Sequence, residues 1–294
     1  MRNKVLSVFL TGIMFFSFLN LNFSLNVLAK EPLSNSVEKL SEGTSKKDLK
    51  IVGVIPARYE SSRFPGKPLA DICGKPMIWW VYQQAKKVPE LNEVYVATDD
   101  KRIESVCKQY NMDVVMTSKD HPTGTDRVAE VAEKVNADYY VVCMGDEPLV
   151  SAEDISLMCN KIKSGKVKDA ALLTRKFEDP VDAINTTTIK LVLNNNFELI
   201  FMSRMPLPYP KASLDVHYYK NIGVYSYKKD TLDFFRNKPV GKIEKVEDME
   251  LLRLIENHKI INTFEVNSLS FSVDTPKDLD RVREIMEQRL KKNI

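Results

Sequence analysis

The sequence predicts an α/β fold, a mostly parallel sheet flanked by helices and extended by a mixed or antiparallel part. Three observations predict it. Between residues 50 and 163, apolar β-branched runs alternate with stretches whose apolar residues recur at helical spacing, the pattern of βαβ units. The strand runs end in charged loops, where open α/β sheets hold ligands. Beyond Gly165, strand runs follow one another with short connections and a stiff proline-rich loop, Pro206–Pro210.

The chain has 294 residues, 44% hydrophobic and 28% charged, enough for one large domain with or without a subdomain. The net charge of +3, with both signs interspersed, gives no footprint for nucleic acid or for a polybasic membrane surface. The four cysteines, Cys73, Cys107, Cys143 and Cys159, lack paired spacing and read as free thiols. His121, His217 and His258 form no sequence-local ligand cluster.

The first residues stand apart. Arg2 and Lys4 precede a charge-free stretch from Val5 to Ala29, and Val27-Leu28-Ala29 offers a cleavage site. Residues 1–29 read as a secretory signal peptide, with an uncleaved membrane anchor as the alternative, since the stretch is long enough to span a bilayer. Its apolar core is too continuous for a transit peptide. Residues 30–49 are polar and aperiodic and read as a linker. Residues 50–294 read as the globular domain.

The first strand, over Lys50–Pro56, feeds a loop that carries Arg58, Arg63 and Lys67 around the turn formers Pro65, Gly66 and Pro68. Three cations so close suit a polyanion such as a triphosphate. Ile78, Val81, Tyr82 and Ala85 predict a helix over Lys75–Val88, and Glu93–Thr98 reads as a strand ending in Asp99-Asp100. A helix over Lys101–Tyr110 and a strand over Asp113–Thr117 follow. In His121–Arg127, Thr123 and Asp126 have capping-box spacing ahead of Val128, Val131, Ala132 and Val135. Such a helix start can also hold a phosphate or a base edge.

Tyr139–Met144 is a very apolar strand ending in Gly145-Asp146-Glu147-Pro148. Two carboxylates at a strand's end suit a Mg2+ that escorts phosphates, while a solvated turn is the plainer alternative. Ser151 with Asp154 caps the next helix, whose Ile155, Met158 and Ile162 face inward.

In the extension, Ala170–Lys176, Thr188–Leu193, Leu199–Ser203, Tyr218–Tyr227 and Ile260–Val266 read as strands, and Glu247–His258 as a helix. Thr275 and Asp278 form a last capping pattern, with Pro276 at the first helical position and Leu279, Val282 and Met286 as the buried stripe. By itself Asp274 reads as a turn acid.

Four segments occur in order: Pro-Ala-Arg-Tyr-x-Ser-x-Arg-x-Pro-Gly-Lys-Pro-Leu, Asp-His-x-x-Gly-Thr-Asp-Arg, Gly-Asp-Glu-Pro and Val-Asp-Thr-Pro. Together they resemble the 3-deoxy-manno-octulosonate cytidylyltransferase (CMP-Kdo synthetase) family over about residues 50–290. The resemblance implies a nucleotide-diphospho-sugar transferase fold, Rossmann-like, with a dimerisation extension and a homodimeric assembly. It implies the reaction CTP + 3-deoxy-D-manno-octulosonate (Kdo) → CMP-Kdo + diphosphate, serving lipopolysaccharide or capsule-type synthesis.

The same resemblance implies roles. Arg58 and Lys67, assisted by Arg63, neutralise the triphosphate. Asp146 and Asp274 hold Mg2+, which reverses the plain reading of Asp274. Ala57, Ser61, Thr125, Asp126 and Arg127 complete the nucleotide site. Met144, Lys190, Ser203, Arg204, Asn221 and Glu250 lie by the sugar acid, where a cation pairs with the substrate carboxylate. Two positions depart from the family's pattern: Met144 replaces its usual glutamine, and Asn221 its usual histidine. Met144 cannot make an amide's paired hydrogen bonds.

A Kdo derivative or another acidic sugar, of the sialic-acid type, is therefore the alternative substrate. A non-catalytic nucleotide-binding homologue fits poorly with the retained basic loop and aspartates. A NAD-type dehydrogenase lacks its Gly-x-Gly-x-x-Gly after the first strand. A need for CTP places the catalytic domain on the cytosolic side, in tension with the export-like N-terminus; an anchor would reconcile the two.

Overall fold

All six residues of β1 (Ile51–Pro56) are buried, and the sheet is built outward from them. The computed structural model describes residues 48–61 and 63–292. The expectations for residues 1–29, and for the linker up to residue 47, lie outside the described residues. Among the described residues no helix is long and apolar enough to cross a membrane.

Beyond β1 a small hairpin, β2 (Asp71–Ile72) and β3 (Lys75–Pro76), precedes α1 (Met77–Lys86). Then come β4 (Glu93–Thr98), α2 (Lys101–Gln109), β5 (Val114–Met116), α3 (Gly124–Lys134), β6 (Tyr139–Cys143) and α4 (Ala152–Lys163). The extension follows: β7 (Ala170–Lys176), β8 (Lys190–Leu193), β9 (Leu199–Ser203) and β10 (Tyr219–Lys228). The chain ends with α5 (Lys229–Asn237), α6 (Lys242–Glu247), α7 (Leu252–Glu256), β11 (Ile261–Glu265) and α8 (Pro276–Lys292).

The strands form a nine-stranded sheet whose main path is β11-β7-β10-β6-β1-β4-β5, with β8 on β10 and β9 on β8. β1 pairs in parallel with β4 on one side and β6 on the other. β10 runs antiparallel between β6 and β7, so the mixed extension is part of the same sheet. Period-two alternation decides the layers. Ile51 and Ile55 face a core with Ile78, Ile103 and Ile155 of α1, α2 and α4. Val52 and Val54 face another with Val128, Leu232 and Leu252 of α3, α5 and α7. The four cysteines are free.

The predicted elements shift in three places. The helix expected from Lys75 begins at Met77, because Lys75 and Pro76 pair with Asp71 and Ile72. Of the helix expected over Glu247–His258 only Leu252–Glu256 forms, because Asp248, at a left-handed φ of 55°, ends the preceding α6 at Glu247. Helices α5 and α6, between β10 and α7, lay outside the sequence expectations.

The break at Asp248 brings Arg253 into the core, 2% exposed. Its guanidinium forks onto Glu244, at 2.8 Å from Nε and 2.6 Å from Nη2. Nη1 donates to Asp126 of α3 and to the Phe235 carbonyl, both at 3.2 Å. One cation thus joins α3, α5, α6 and α7. Arg253→Met should strand two buried carboxylates and lower stability by about 3–5 kcal/mol. Urea unfolding of the two proteins measures this; a loss under about 1 kcal/mol would contradict it.

Candidate active site

The loop after β1 is held at both ends. The Ala57 amide donates to the Ala97 carbonyl of β4 at 2.9 Å. Farther on, the Gly66 amide closes onto the Tyr59 carbonyl at 2.7 Å. Gly66 is left-handed, φ 72°, and a Cβ there would stand 3.1 Å from the Tyr59 ring. Glycine therefore serves both the turn and the contact. On the ring lies the Arg102 guanidinium, 3.3 Å from its centroid. Arg102 is itself forked onto Asp100 at 2.9 and 2.6 Å. The tip of the basic loop is thus clamped to the start of α2.

Gly66 leads into a short 3-10 turn that begins at Lys67. The Lys67 ammonium donates to Asp146 at 2.6 Å and stands 3.6 Å from Asp274. Arg63 donates to Asp274 at 3.0 Å. Ser61 accepts the Phe64 amide at 3.4 Å, a contact within the loop. Arg58 is exposed.

Both aspartates are placed by backbone. At Gly145 a Cβ would meet the Pro56 carbonyl at 2.8 Å, so only glycine lets the ends of β1 and β6 approach this closely. The Val273 amide donates to the Asp146 carbonyl at 2.9 Å, bringing Asp274 alongside. Asp278 then accepts the amides of Asp274 at 3.1 Å and Thr275 at 2.8 Å, which starts α8.

Next to Asp146, Glu147 is buried and accepts the Ser270 hydroxyl. Burial, and then the Asp146 charge, push its carboxyl up to about 7. Gly223 of β10 leaves room for it, since a Cβ there would stand 2.5 Å from the Glu147 side chain. Opposite, the Met144 amide donates to the Gly223 carbonyl at 2.8 Å, and the Met144 side chain packs against the core.

A second group meets at the start of α3. Glu250 accepts the Thr125 amide at 3.0 Å, and the Thr125 hydroxyl contacts the Tyr227 hydroxyl at 3.1 Å. Asn221 donates to the Tyr225 hydroxyl at 2.5 Å, and its Oδ1 is buried with no partner among the described residues. Burial raises the Tyr225 hydroxyl, and the charges of Glu250, Glu147 and Asp146 raise it further, so the two groups lie within one field.

The other expected residues face protein. Asp126 bonds Thr123 and Arg253. Arg127 is fully buried, 3.2 Å from Asp99 and bonded to Thr117. Burial, with Arg58 nearby, lowers its pKa against the pull of Asp99. Lys190 donates to the carbonyls of Asn185 at 2.9 Å, Thr188 at 2.8 Å and Arg204. Ser203 donates to Glu247 at 3.0 Å, and Arg204 to the Thr186 carbonyl at 3.4 Å. Lys190, Ser203 and Arg204 thus lace β8 and β9 to their neighbours. Tyr59, Arg102 and Tyr225 were not singled out from sequence, and Glu147 was read there only as one of two carboxylates at the end of β6. The alternation Asn221-x-Gly223-x-Tyr225 was the one available signal, and it marks a strand rather than a site.

Comparison with known proteins assigns the fold. A family model described as Cytidylyltransferase matches residues 52–261. A 3-deoxy-manno-octulosonate cytidylyltransferase of Escherichia coli is 41% identical, over 83% of this chain and 99% of that protein. The chain belongs to the 3-deoxy-manno-octulosonate cytidylyltransferase family. The Solibacter usitatus member is 39% identical over 81% of this chain and 95% of its own length. A solved structure, a CMP:2-keto-3-deoxy-manno-octonic acid synthetase complexed with CTP, is 40% identical. It superposes with a TM-score of 0.78 over 82% of this chain and 99% of that one. The nucleotidyltransferase fold expected from the motifs is therefore the one present.

Just ahead of α3, His121 contacts Glu130 of that helix. Burial raises the Glu130 pKa, but Lys134, the Ser118 amide and His121 outweigh it and bring the carboxyl to about 2. A depressed carboxylate contributes stability above its unfolded pKa of about 4.5 and loses it as pH falls towards the folded value. Stability should therefore decline between about pH 4.5 and 2, and Glu130→Gln should flatten that decline. Urea midpoints measured across the window test it; an unchanged slope would count against the assignment.

Proposed function

We propose that the protein transfers a cytidylyl group from CTP to 3-deoxy-D-manno-octulosonate, releasing diphosphate. The observation that carries the reading is the Lys67 ammonium between Asp146 and Asp274, at 2.6 and 3.6 Å. A basic loop and two carboxylates meet at the carboxyl edge of a mostly parallel sheet, the crevice where such folds bind nucleotides. Family membership supplies the chemistry.

The anomeric 2-hydroxyl of the sugar acid attacks the α-phosphorus in line, and diphosphate leaves with no covalent intermediate. Arg58, Arg63 and Lys67 offset the charge that grows on the leaving group, the largest catalytic contribution in such transfers. Ala57 and Ser61 shape the loop's path. Thr125, at the start of α3, offers a helix N-terminus to the nucleotide. Asp126 and Arg127 support that end from within the core.

The donor set fits Mg2+. Two carboxylates already converge on one cation, and among the described residues no cluster of three or more His, Cys, Asp or Glu stands ready for a metal. A hard ion that completes its shell with phosphate oxygens and water needs no more. Bound by Asp146 and Asp274, it would polarise the α-phosphate and acidify the attacking hydroxyl.

Around the sugar, Met144, Asn221 and Glu250 give an apolar side chain, a buried amide oxygen without a partner and a carboxylate. An acid sugar other than Kdo remains the second reading, favoured by that unpartnered Asn221 oxygen. A homodimer is part of the proposal. Tyr209 and Leu214, in the loop after β9, are 79% and 88% exposed, and a second copy would cover such an apolar surface.

Diphosphate release with CTP, Mg2+ and a panel of sugar acids tests the assignment. Turnover with Kdo is expected; turnover only with a sialic-acid-type substrate would reject it. Lys67→Met should lower kcat at least about 100-fold, the scale of losing one electrostatic donor. Sedimentation of the purified protein as a monomer at micromolar concentration would rule out the dimer.

A further inference from the structure

One carboxylate at the carboxyl edge of the sheet has no part in the transfer. Asp99 follows β4, and period-two alternation puts it on the face of Tyr95 and Ala97, the face covered by α3. The bond from the Ala57 amide to the Ala97 carbonyl carries the β1–β4 pairing past Pro56, so the basic loop leaves the sheet beside Asp99. On the other side, the Thr117 amide donates to the Thr98 carbonyl at 2.9 Å and brings up the loop after β5. Asp146 follows β6, which lies two strands from β4 across β1. Two strand spacings make roughly 10 Å, about the reach of a nucleoside from its α-phosphorus to its base.

The two acids after β4 differ in their partners. Asp100 caps α2 through the Arg102 amide at 2.8 Å and receives the fork of the Arg102 side chain. Among the described residues Asp99 has a single partner, Nη2 of Arg127 at 3.2 Å, and accepts no hydrogen bond. Arg127 is fully buried, and its Nη1 donates to the Thr117 hydroxyl and, at 3.3 Å, to the Ser118 carbonyl. Its Nε and Nη2, and Oδ1 of Asp99, are buried without a hydrogen bond among the described residues. Arginine and carboxylate here touch without forming the parallel fork that would satisfy both. The Asp99 side chain keeps 22% exposure although Oδ1 is buried, so the rest of the group faces out.

An open carboxylate repels phosphate and suits a neutral group that offers an N–H. Cytosine carries an amino group where uracil carries a carbonyl oxygen. A fixed carboxylate accepts a hydrogen bond from the first and repels the second, so it selects by rejection as well as by attraction.

We infer that Asp99 receives the amino group of the cytosine base and sets the choice of CTP over UTP. Arg127 is its positioning residue, clamped from the far side by Thr117 and Ser118. This deepens, and rests on, the reading of the donor as a cytidine nucleotide.

Calorimetric binding of CTP and UTP, with no sugar acid present, tests the base contact apart from the transfer. The unaltered protein should bind CTP at least about tenfold more tightly than UTP, the scale of one charge-assisted hydrogen bond. The triphosphate of the 2-pyrimidinone riboside, which lacks the amino group, should bind at least about tenfold more weakly than CTP. Asp99→Asn can turn its amide to either base and should bring CTP and UTP within about threefold of each other. Asp99→Ser carries the same expectation should the Asn variant not fold. Arg127→Lys should also shrink the ratio of the two affinities, which a residue confined to core packing would leave unchanged. A ratio kept in Asp99→Asn, or equal binding of CTP and UTP by the unaltered protein, would overturn the assignment. So would an equal loss of both nucleotides in the variant, which marks a contact to the ribose they share. Binding of neither nucleotide by the unaltered protein would sink the underlying reading of the donor. Absence of diphosphate release with every sugar acid, while the CTP preference follows Asp99, would sink the reaction and uphold the site.

Discussion

The contact of Lys67 with Asp146 and Asp274 is the constraint on which the rest of the site depends. It joins three segments far apart in sequence: the loop after β1, the turn after β6 and the approach to α8. Without a cation between them, two carboxylates brought together by the Val273–Asp146 backbone bond would repel. The ion pair is half-screened rather than buried, with the Lys67 and Asp146 side chains 14% and 22% exposed. Lys67 can therefore exchange one partner for another at small cost in solvation. On the proposed reading, a triphosphate arriving with a metal ion would supply both halves of that exchange: phosphates for the lysine, a divalent cation for the aspartates.

For such an exchange to keep its geometry, the loop must be held by something other than its charges. Two glycines and one aromatic ring do this. Gly66 accepts the Tyr59 ring at a spacing that a side chain would block, and Arg102 closes the stack from α2. Gly145 lets the β6 turn lie against the β1 carbonyl. The charged groups can then change partners while the backbone stays in place. On the far side, the buried Arg253 does the same for Glu250, through its grip on Asp126 at the start of α3.

The sheet was legible because β1, β4 and β6 are short, apolar and followed by amphipathic helices. The caps at Thr123, Ser151 and Thr275 were legible because their partners lie three residues on, and each carries a side-chain bond to Asp126, Asp154 or Asp278. Asp248 was not, because a left-handed non-glycine residue has no local signal. The roles of Lys190 and Arg253 were hidden for a related reason. Their partners are carbonyls and carboxylates contributed by other segments, and no spacing rule reports those. From sequence, Lys190 is a charge on a strand; in the fold it is a brace with its charge already spent.

That difference bears on how the site chooses its substrate. A cation whose donors are saturated by carbonyls contributes structure, and one left half-buried without a partner contributes affinity, because the ligand removes a cost already present in the free protein. Lys190, its three donors spent on carbonyls, is of the first kind. The unpartnered Asn221 oxygen follows the same logic with a neutral group. A buried acceptor without a donor disfavours any ligand that cannot supply one. On the proposed reading, nucleotide handling rests on ion pairs that can exchange, and sugar choice on polar groups left unsatisfied. Substitutions at Met144 and Asn221 would then alter which acid sugar is accepted without disturbing the lysine and aspartates proposed to carry the transfer.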